Sequence, residues 1–207
     1  MLNVLYNEID WSNNKTIGFD MDGTLYDEYD FIKQVYSEIN SQLIKDNKVL
    51  SFMLCRWLEK GSSYQYIFNE TYDKTPKMNM TKEIFIKKAL KIFRTYTPKL
   101  FLPERNKYIL EYCKNNFDIF LVTDGNKILQ EKKIISLGLT EYFKAENIII
   151  TGKYSSEYHK PNNKSLEFLD LDIEHCVYFG DRNKDEIFAL SSKMQFQKVY
   201  NMIKVPE

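Results

Sequence analysis

The sequence predicts an α/β protein: a Rossmann-like, doubly wound parallel sheet with an inserted all-α domain. In the second half of the chain, short apolar runs that suit buried strands alternate with helical segments, as in parallel sheets covered by helices. A similar apolar run lies near the start of the chain, at residues 16–19. The residues between this run and the second half of the chain show only helical periodicity. We therefore expect a core domain of residues 1–27 and 97–207, with a helical domain of residues 28–96 inserted into it.

The first predicted strand, residues 16–19, is apolar and is followed by a polar loop that contains Gly23. Helical periodicity begins soon after, where Phe31, Val35 and Ile39 recur every four residues. Similar stripes predict the other helices of the inserted domain: Leu50, Leu54, Trp57 and Leu58; residues 64–72; and Phe85, Ala89, Leu90 and Phe93, with a break at Pro76.

After the insertion, turn residues separate helices from strands. Pro103 suits the first turn of a helix, and Gly138 is typical of a helix end. The predicted helices are residues 103–115, 126–137, 164–169 and 185–191, and the predicted strands are residues 118–122, 147–150, 176–179 and 198–200.

Composition argues against several classes of function. The 29 basic and 29 acidic residues balance, so there is no overall positive charge for nucleic-acid binding. No apolar run approaches the roughly 20 residues that span a bilayer, and the N-terminus lacks a signal-peptide pattern. Cys55, Cys113 and Cys176 are odd in number and widely spaced, which favours free thiols in a reducing compartment. We expect a cytoplasmic monomer or homodimer with no nucleic-acid or membrane partner.

Four polar segments follow predicted strands or lie in the loops beyond them. They are residues 20–25, 121–125, 159–161 and 180–185. In an open α/β sheet, ligands bind at the edge formed by the carboxyl ends of the strands, near the reversal of strand order. The sequence therefore predicts one site that combines carboxylates, a hydroxyl and a lysine.

In this order, the four segments resemble the motifs of haloacid dehalogenase-like hydrolases. Within that family, the sequence resembles phosphatases that have a helical cap inserted after the first motif. The most specific segment reads Asp-Met-Asp-Gly-Thr-Leu from Asp20, and the likeness extends from Thr16 to about Tyr200. The resemblance implies that residues 28–96 form an α-helical cap over the active site, which opens for substrate and closes to exclude bulk water.

The resemblance also implies phosphoryl transfer to an aspartate. Asp20 would be the nucleophile that forms an aspartyl-phosphate, which water later hydrolyses. Asp22 would give a proton to the leaving oxygen and then accept one from the attacking water. Lys160 would place positive charge against both the phosphate and the Asp20 carboxylate.

A phosphate group would be bound by the hydroxyl of Thr123, by the backbone N–H groups of Asp124 and Gly125 near a helix start, and by Lys160. The implied cofactor is Mg²⁺, because hard oxygen ligands suit that ion. Its ligands would be Asp20, Asp181 and the backbone carbonyl of Asp22, with Asp185 as a further ligand or as the holder of metal-bound water.

The predicted function is hydrolysis of a small phosphorylated metabolite of the nucleotide or sugar phosphate class. A phosphomutase would use the same Asp20 chemistry and stays open as the alternative. A dehalogenase is less expected, because halide needs no proton from Asp22. A receiver-type signalling domain is disfavoured, because its acidic cluster would come before the acceptor aspartate. A non-catalytic scaffold is disfavoured as well, because it would not need the whole set of polar residues.

Overall fold

A five-stranded parallel sheet is the central feature of the α/β part of the chain. The computed structural model describes residues 2–75 and 78–199. The strands are β1 (Thr16–Phe19), β2 (Asp118–Thr123), β3 (Ile148–Ile150), β4 (Cys176–Gly180) and β5 (Gln195–Lys198), and their order in the sheet is β3-β2-β1-β4-β5. Neighbouring strands are parallel, and the order reverses beside β1. The sheet is therefore doubly wound, and the predicted fold class is confirmed.

The described residues also form eight α-helices. They are α1 (Leu2–Leu5), α2 (Glu28–Ile39), α3 (Asn47–Lys60), α4 (Ile67–Lys74), α5 (Lys82–Thr95), α6 (Glu104–Asn116), α7 (Lys127–Ser136) and α8 (Asn183–Ser191). The chain divides into two compact units, one of Met1–Glu28 with Leu100–Glu207 and one of Tyr29–Lys99. None of the described helices has the length and apolar character required to cross a membrane.

Aromatic rings fill the core between the sheet and α8. Phe120, Tyr178 and Phe188 are completely buried, and the rings of Tyr178 and Phe188 meet edge to face at 5.0 Å. The neighbouring position in β1 is Gly18, where a Cβ atom would lie 2.3 Å from the Phe120 ring. The absence of a side chain at this position of the central strand leaves space for the rings of Phe120 and Tyr178, in keeping with the close packing of protein interiors.

The helical unit has an aromatic core of its own. Phe31 packs edge to face on Phe93 at 5.4 Å, and Phe68 packs on Phe93 at 6.2 Å. Phe31, Val35 and Ile39 are all buried, as the four-residue spacing of α2 predicts. The inserted residues therefore supply their own apolar core, which is what an independent compact unit requires.

Some elements differ from the predictions. In α3 the buried residues are Val49 and Met53, whereas Leu58 of the predicted stripe is 43% exposed. The last strand is Gln195–Lys198, three residues earlier than predicted, because an edge strand of mixed polarity has a weak apolar pattern. The predicted break at Pro76 and the predicted strand residue Tyr200 lie outside the described residues.

The packing of Phe188 allows a test of the core. We expect Phe188→Ala to lower the free energy of unfolding by about 3–5 kcal/mol, because it leaves a cavity beside Tyr178. Ile187→Ala is the matched control on the same helix, since Ile187 is 46% exposed and its loss should cost about 0.5 kcal/mol. Urea denaturation of both variants measures the difference, and equal costs would contradict the packing described.

Candidate active site

The carboxyl edge of the sheet brings the predicted polar segments together. Asp20 follows β1 directly, Thr123 is the last residue of β2, and Asp181 follows β4 directly. Lys160 comes from the long segment after β3, and Asp185 lies in the first turn of α8. Since parallel strands end at the same edge, these side chains converge there although they are far apart in the chain.

The ammonium group of Lys160 lies at the centre of this site and is completely buried. Its Nζ atom lies 2.5 Å from Asp20 Oδ1 and 2.6 Å from Asp185 Oδ1. The same atom donates to the Val122 carbonyl at 3.2 Å and to the Tyr178 hydroxyl at 3.1 Å. Lys160 therefore connects the segment after β3 to residues of β2, β4, α8 and the loop after β1.

The electrostatics of this cluster are dominated by burial. Burial raises the pKa of Asp20 to about 7, although the adjacent Lys160 acts in the opposite direction. Burial alone would lower the pKa of Lys160, but Asp20, Tyr178 and Asp185 together raise it well above its usual range. Lys160 therefore stays positively charged, and one more positive charge nearby would lower the pKa of Asp20 again.

Three carboxylates form a candidate metal centre. Oxygen atoms of Asp20, Asp181 and Asp185 lie within 4.8 Å of one another. Asp181 Oδ1 is buried and receives no hydrogen bond from the residues that the structure describes. Burial raises the pKa of Asp181, and the nearby Arg182 offsets part of this effect. A buried carboxylate oxygen without a donor, beside two more carboxylates, fits the oxygen-ligand preference of a hard divalent cation.

Gly23 allows the first loop to approach this centre. Its φ is +84°, a backbone conformation that residues with a side chain rarely adopt. A Cβ atom at this position would lie 2.3 Å from Asp181 Oδ2. The close contact between the loop after β1 and the loop after β4 therefore requires glycine.

Asp22 points into a second cluster of polar side chains. Lys133 Nζ lies 2.6 Å from Asp22 Oδ1, and Gln130 Nε2 lies 2.8 Å from Asp22 Oδ2. The Tyr26 hydroxyl also donates to Asp22 Oδ1. Burial alone would raise the pKa of Asp22, but Lys133 and these hydrogen bonds hold it below its ordinary value. Two carboxylates only two residues apart therefore have opposite pKa shifts.

The end of β2 supplies a hydroxyl and a helix start. Thr123 Oγ1 accepts a hydrogen bond from Gln130 Nε2 at 2.6 Å, and Gly125 precedes α7 with a φ of +124°. The Asp124 carboxylate accepts from the Thr151 hydroxyl at 2.8 Å and pairs with Lys184 Nζ at 2.6 Å. A carboxylate cannot donate to a phosphate, so the group of Asp124 that suits phosphate binding is its backbone N–H.

The motifs do not include several residues that shape the site. Gln130 and Lys133 lie on the buried face of α7, and Tyr178 lies in the buried strand β4. Within the segment at residues 180–185, Arg182 also pairs with Glu28 and lies 3.6 Å from Asp181 Oδ2. Among the residues outside the motifs, the sequence carries a signal for Gln130 and Lys133, which are polar residues at core-facing helix positions beside Leu129 and Ile134.

The comparisons with known proteins agree with this architecture. Residues 17–199 match the family model described as haloacid dehalogenase-like hydrolase. The chain therefore belongs to the haloacid dehalogenase-like hydrolase family, and the predicted family and enzyme class are confirmed.

Two relatives carry the name glyceraldehyde 3-phosphate phosphatase. The protein from Methanocaldococcus jannaschii is 29% identical over an alignment of 192 residues, and the match covers 84% of this chain and 78% of the relative. The protein from Pyrococcus furiosus is 24% identical over an alignment of 183 residues, and that match covers 84% of this chain and 75% of the relative.

Solved structures share the fold at low identity. A Thermotoga maritima protein assigned as a beta-phosphoglucomutase has a TM-score of 0.69 at 18% identity, covering 93% of this chain and 88% of its own. A Bacillus subtilis protein assigned as a HAD-hydrolase, whose crystals contain bound magnesium, has a TM-score of 0.61 at 17% identity, covering 89% of this chain and 88% of its own.

The buried position of Lys160 leads to a stability prediction. With a chelator present, Lys160→Met should lower the free energy of unfolding by about 3–5 kcal/mol, because it leaves Asp20 and Asp185 without their buried counter-charge. The control is Lys164→Met, which removes a surface ion pair with Glu157 and should leave stability almost unchanged. Equal stability of both variants in urea denaturation would argue against a structural ion pair at Lys160.

Proposed function

We propose that this protein is a Mg²⁺-dependent phosphomonoester hydrolase that works through an aspartyl-phosphate on Asp20. The observation that carries the proposal is the contact of Asp20 with the buried Lys160 ammonium, at 2.5 Å, inside a cluster of three carboxylates. A carboxylate held beside a fixed positive charge, at the ligand-binding edge of the sheet, is suited to attack a phosphorus atom.

In the first step, an Asp20 carboxylate oxygen forms a bond to phosphorus while the bond from phosphorus to the ester oxygen breaks. Asp22 gives its proton to that oxygen, so that the product leaves as an alcohol. The pKa of Asp22 is held low in the structure. The arrival of a negatively charged phosphate would raise it by repulsion and favour the protonated form that this step needs.

In the second step, water attacks the phosphorus atom of the aspartyl-phosphate and Asp22 accepts a proton from that water. The bond from phosphorus to Asp20 breaks, which regenerates the carboxylate and releases inorganic phosphate. Thr123, the N–H groups of Asp124 and Gly125, and Lys160 would hold the phosphoryl oxygens throughout. The atoms balance with water as the only co-substrate.

Asp20, Asp181 and Asp185, with the backbone carbonyl of Asp22, would hold the Mg²⁺ ion. The fit rests on the Asp181 oxygen that is buried without a hydrogen-bond donor. When bound, Mg²⁺ supplies positive charge that reduces the repulsion between these carboxylates and a phosphate dianion.

For the substrate we propose a small phosphorylated metabolite, such as a triose phosphate, another sugar phosphate or a nucleotide. The names of the two relatives support the triose phosphate class. We further propose that the helical unit Tyr29–Lys99 acts as a cap that selects this substrate, a role supported by its insertion after the first motif. The free thiols of Cys55, Cys113 and Cys176 support a reducing, cytoplasmic location.

A phosphomutase is the second candidate, because the Thermotoga maritima structure assigned as a beta-phosphoglucomutase has the same fold. A mutase returns the phosphoryl group to a sugar and releases little inorganic phosphate. Phosphate release from a panel of triose phosphates, hexose phosphates and nucleotides separates the two reactions.

The nucleophile can be tested directly. With Mg²⁺ and p-nitrophenyl phosphate, Asp20→Asn should lower kcat by at least about 10⁴-fold, because an amide cannot form the acyl-phosphate. The control is Asp118→Asn, since Asp118 is exposed at the start of β2, at the opposite edge of the sheet. If Asp20→Asn keeps the activity of Asp118→Asn, the proposed nucleophile is wrong.

A further inference from the structure

We propose that Lys133 and Gln130 are positioning residues that orient the Asp22 carboxyl group toward the leaving oxygen of the substrate. The inference rests on the proposed function, since it concerns the proton transfer of that reaction. Both residues lie on α7, outside the four motif segments, and neither has a part in the chemistry described so far.

The contacts hold Asp22 at both of its oxygen atoms. Lys133 Nζ lies 2.6 Å from Oδ1, and Gln130 Nε2 lies 2.8 Å from Oδ2. The Tyr26 hydroxyl donates to Oδ1 from the same loop as Asp22. A carboxylate with a donor on each oxygen has its plane fixed, so α7 determines the direction in which Asp22 can transfer a proton.

Gln130 also links Asp22 to the phosphate-binding end of β2. Its Nε2 atom lies 2.6 Å from Thr123 Oγ1 and 2.8 Å from the carbonyl oxygen of Asp124. One amide group therefore touches both the proposed acid and the proposed phosphate-binding residue. This sets the distance between the proton donor and the phosphoryl group, the quantity on which proton transfer to the leaving oxygen depends.

Burial supports a specific role for the two side chains. The side chain of Lys133 is 3% exposed, and Gln130 is 1% exposed. Burying an ammonium or an amide is unfavourable unless its hydrogen bonds are satisfied. Asp22 is a partner of both groups, so these contacts offset the cost of placing them on the core-facing side of α7.

This positioning role has a kinetic signature that a purely structural role lacks. An alkyl ester leaves as an alkoxide, which needs a proton in the transition state, whereas p-nitrophenolate is a stable anion and needs little help. A misdirected Asp22 should therefore impair the first step for alkyl phosphates and spare it for p-nitrophenyl phosphate. The ratio of kcat/KM for the two esters reports this step, because kcat/KM includes events only up to the first irreversible bond cleavage.

The experiment compares Lys133→Met and Gln130→Met with the wild type, at saturating Mg²⁺. The esters are p-nitrophenyl phosphate and the alkyl phosphate that the wild type hydrolyses best. We expect kcat/KM for the alkyl phosphate to fall by about 10²-fold, the usual cost of a small misplacement, with a much smaller loss for p-nitrophenyl phosphate. Gln130→Met changes no charge, so the same selective loss there reflects orientation.

The matched control is Lys132→Met, the neighbouring lysine on α7, which should leave the ratio of the two esters at its wild-type value. Urea denaturation of each variant shows whether it is folded under assay conditions. Equal losses on both esters, or no loss on either, would overturn the positioning role while leaving the hydrolase assignment intact. A wild-type protein that releases phosphate from neither ester would refute the proposed function itself.

Discussion

The contact between Lys160 and the carboxylates of Asp20 and Asp185 is the interaction on which the site depends. Four segments of the chain meet at one edge of the sheet, and three of them bring aspartates: those after β1 and β2, and the one that leads from β4 into α8. Buried carboxylates repel one another and lose hydration, which is unfavourable without a counter-charge. The ammonium of Lys160 supplies that charge from inside the protein, while burial still raises the pKa of Asp20. Oxygen atoms of Asp20, Asp181 and Asp185 lie within 4.8 Å of one another, an arrangement that suits a divalent cation.

Asp20 and Asp22 lie in different environments, although they are only two residues apart in the sequence. Asp20 contacts Lys160, which comes from the segment after β3, and Asp22 contacts Lys133, which comes from α7. One carboxylate has its pKa raised and the other has it lowered. Both lysines lower the pKa of the aspartate they contact, and burial outweighs the lysine only at Asp20. These shifts are the reverse of those that a nucleophile at Asp20 and a proton donor at Asp22 would need. Under the proposed mechanism, a cation beside Asp20 would lower its pKa and a phosphate beside Asp22 would raise its pKa.

Glycines at the site are as important as the charged groups. Gly23 brings the first loop into contact with Asp181, and Gly18 makes room for the rings of Phe120 and Tyr178 on the central strand. Tyr178 in turn presents its hydroxyl to Lys160 at 3.1 Å. The aromatic core and the charged site are therefore connected through β4, and the packing of the Tyr178 ring helps to place the Lys160 ammonium.

The family, the parallel sheet and the polar segments at its edge could be predicted from the sequence, because apolar runs and the motif that starts at Asp20 are local patterns. The positions of β5 and of the buried face of α3 could not, since an edge strand and a partly exposed helix have weak periodicity. The family resemblance predicts the contact of Lys160 with Asp20, which lies 140 positions away in the chain. No pattern in the sequence predicts the contact of Lys133 with Asp22, which lies 111 positions away. Only the folded structure places α7 beside the loop after β1, because spacing along the chain carries no information about contacts between separate segments.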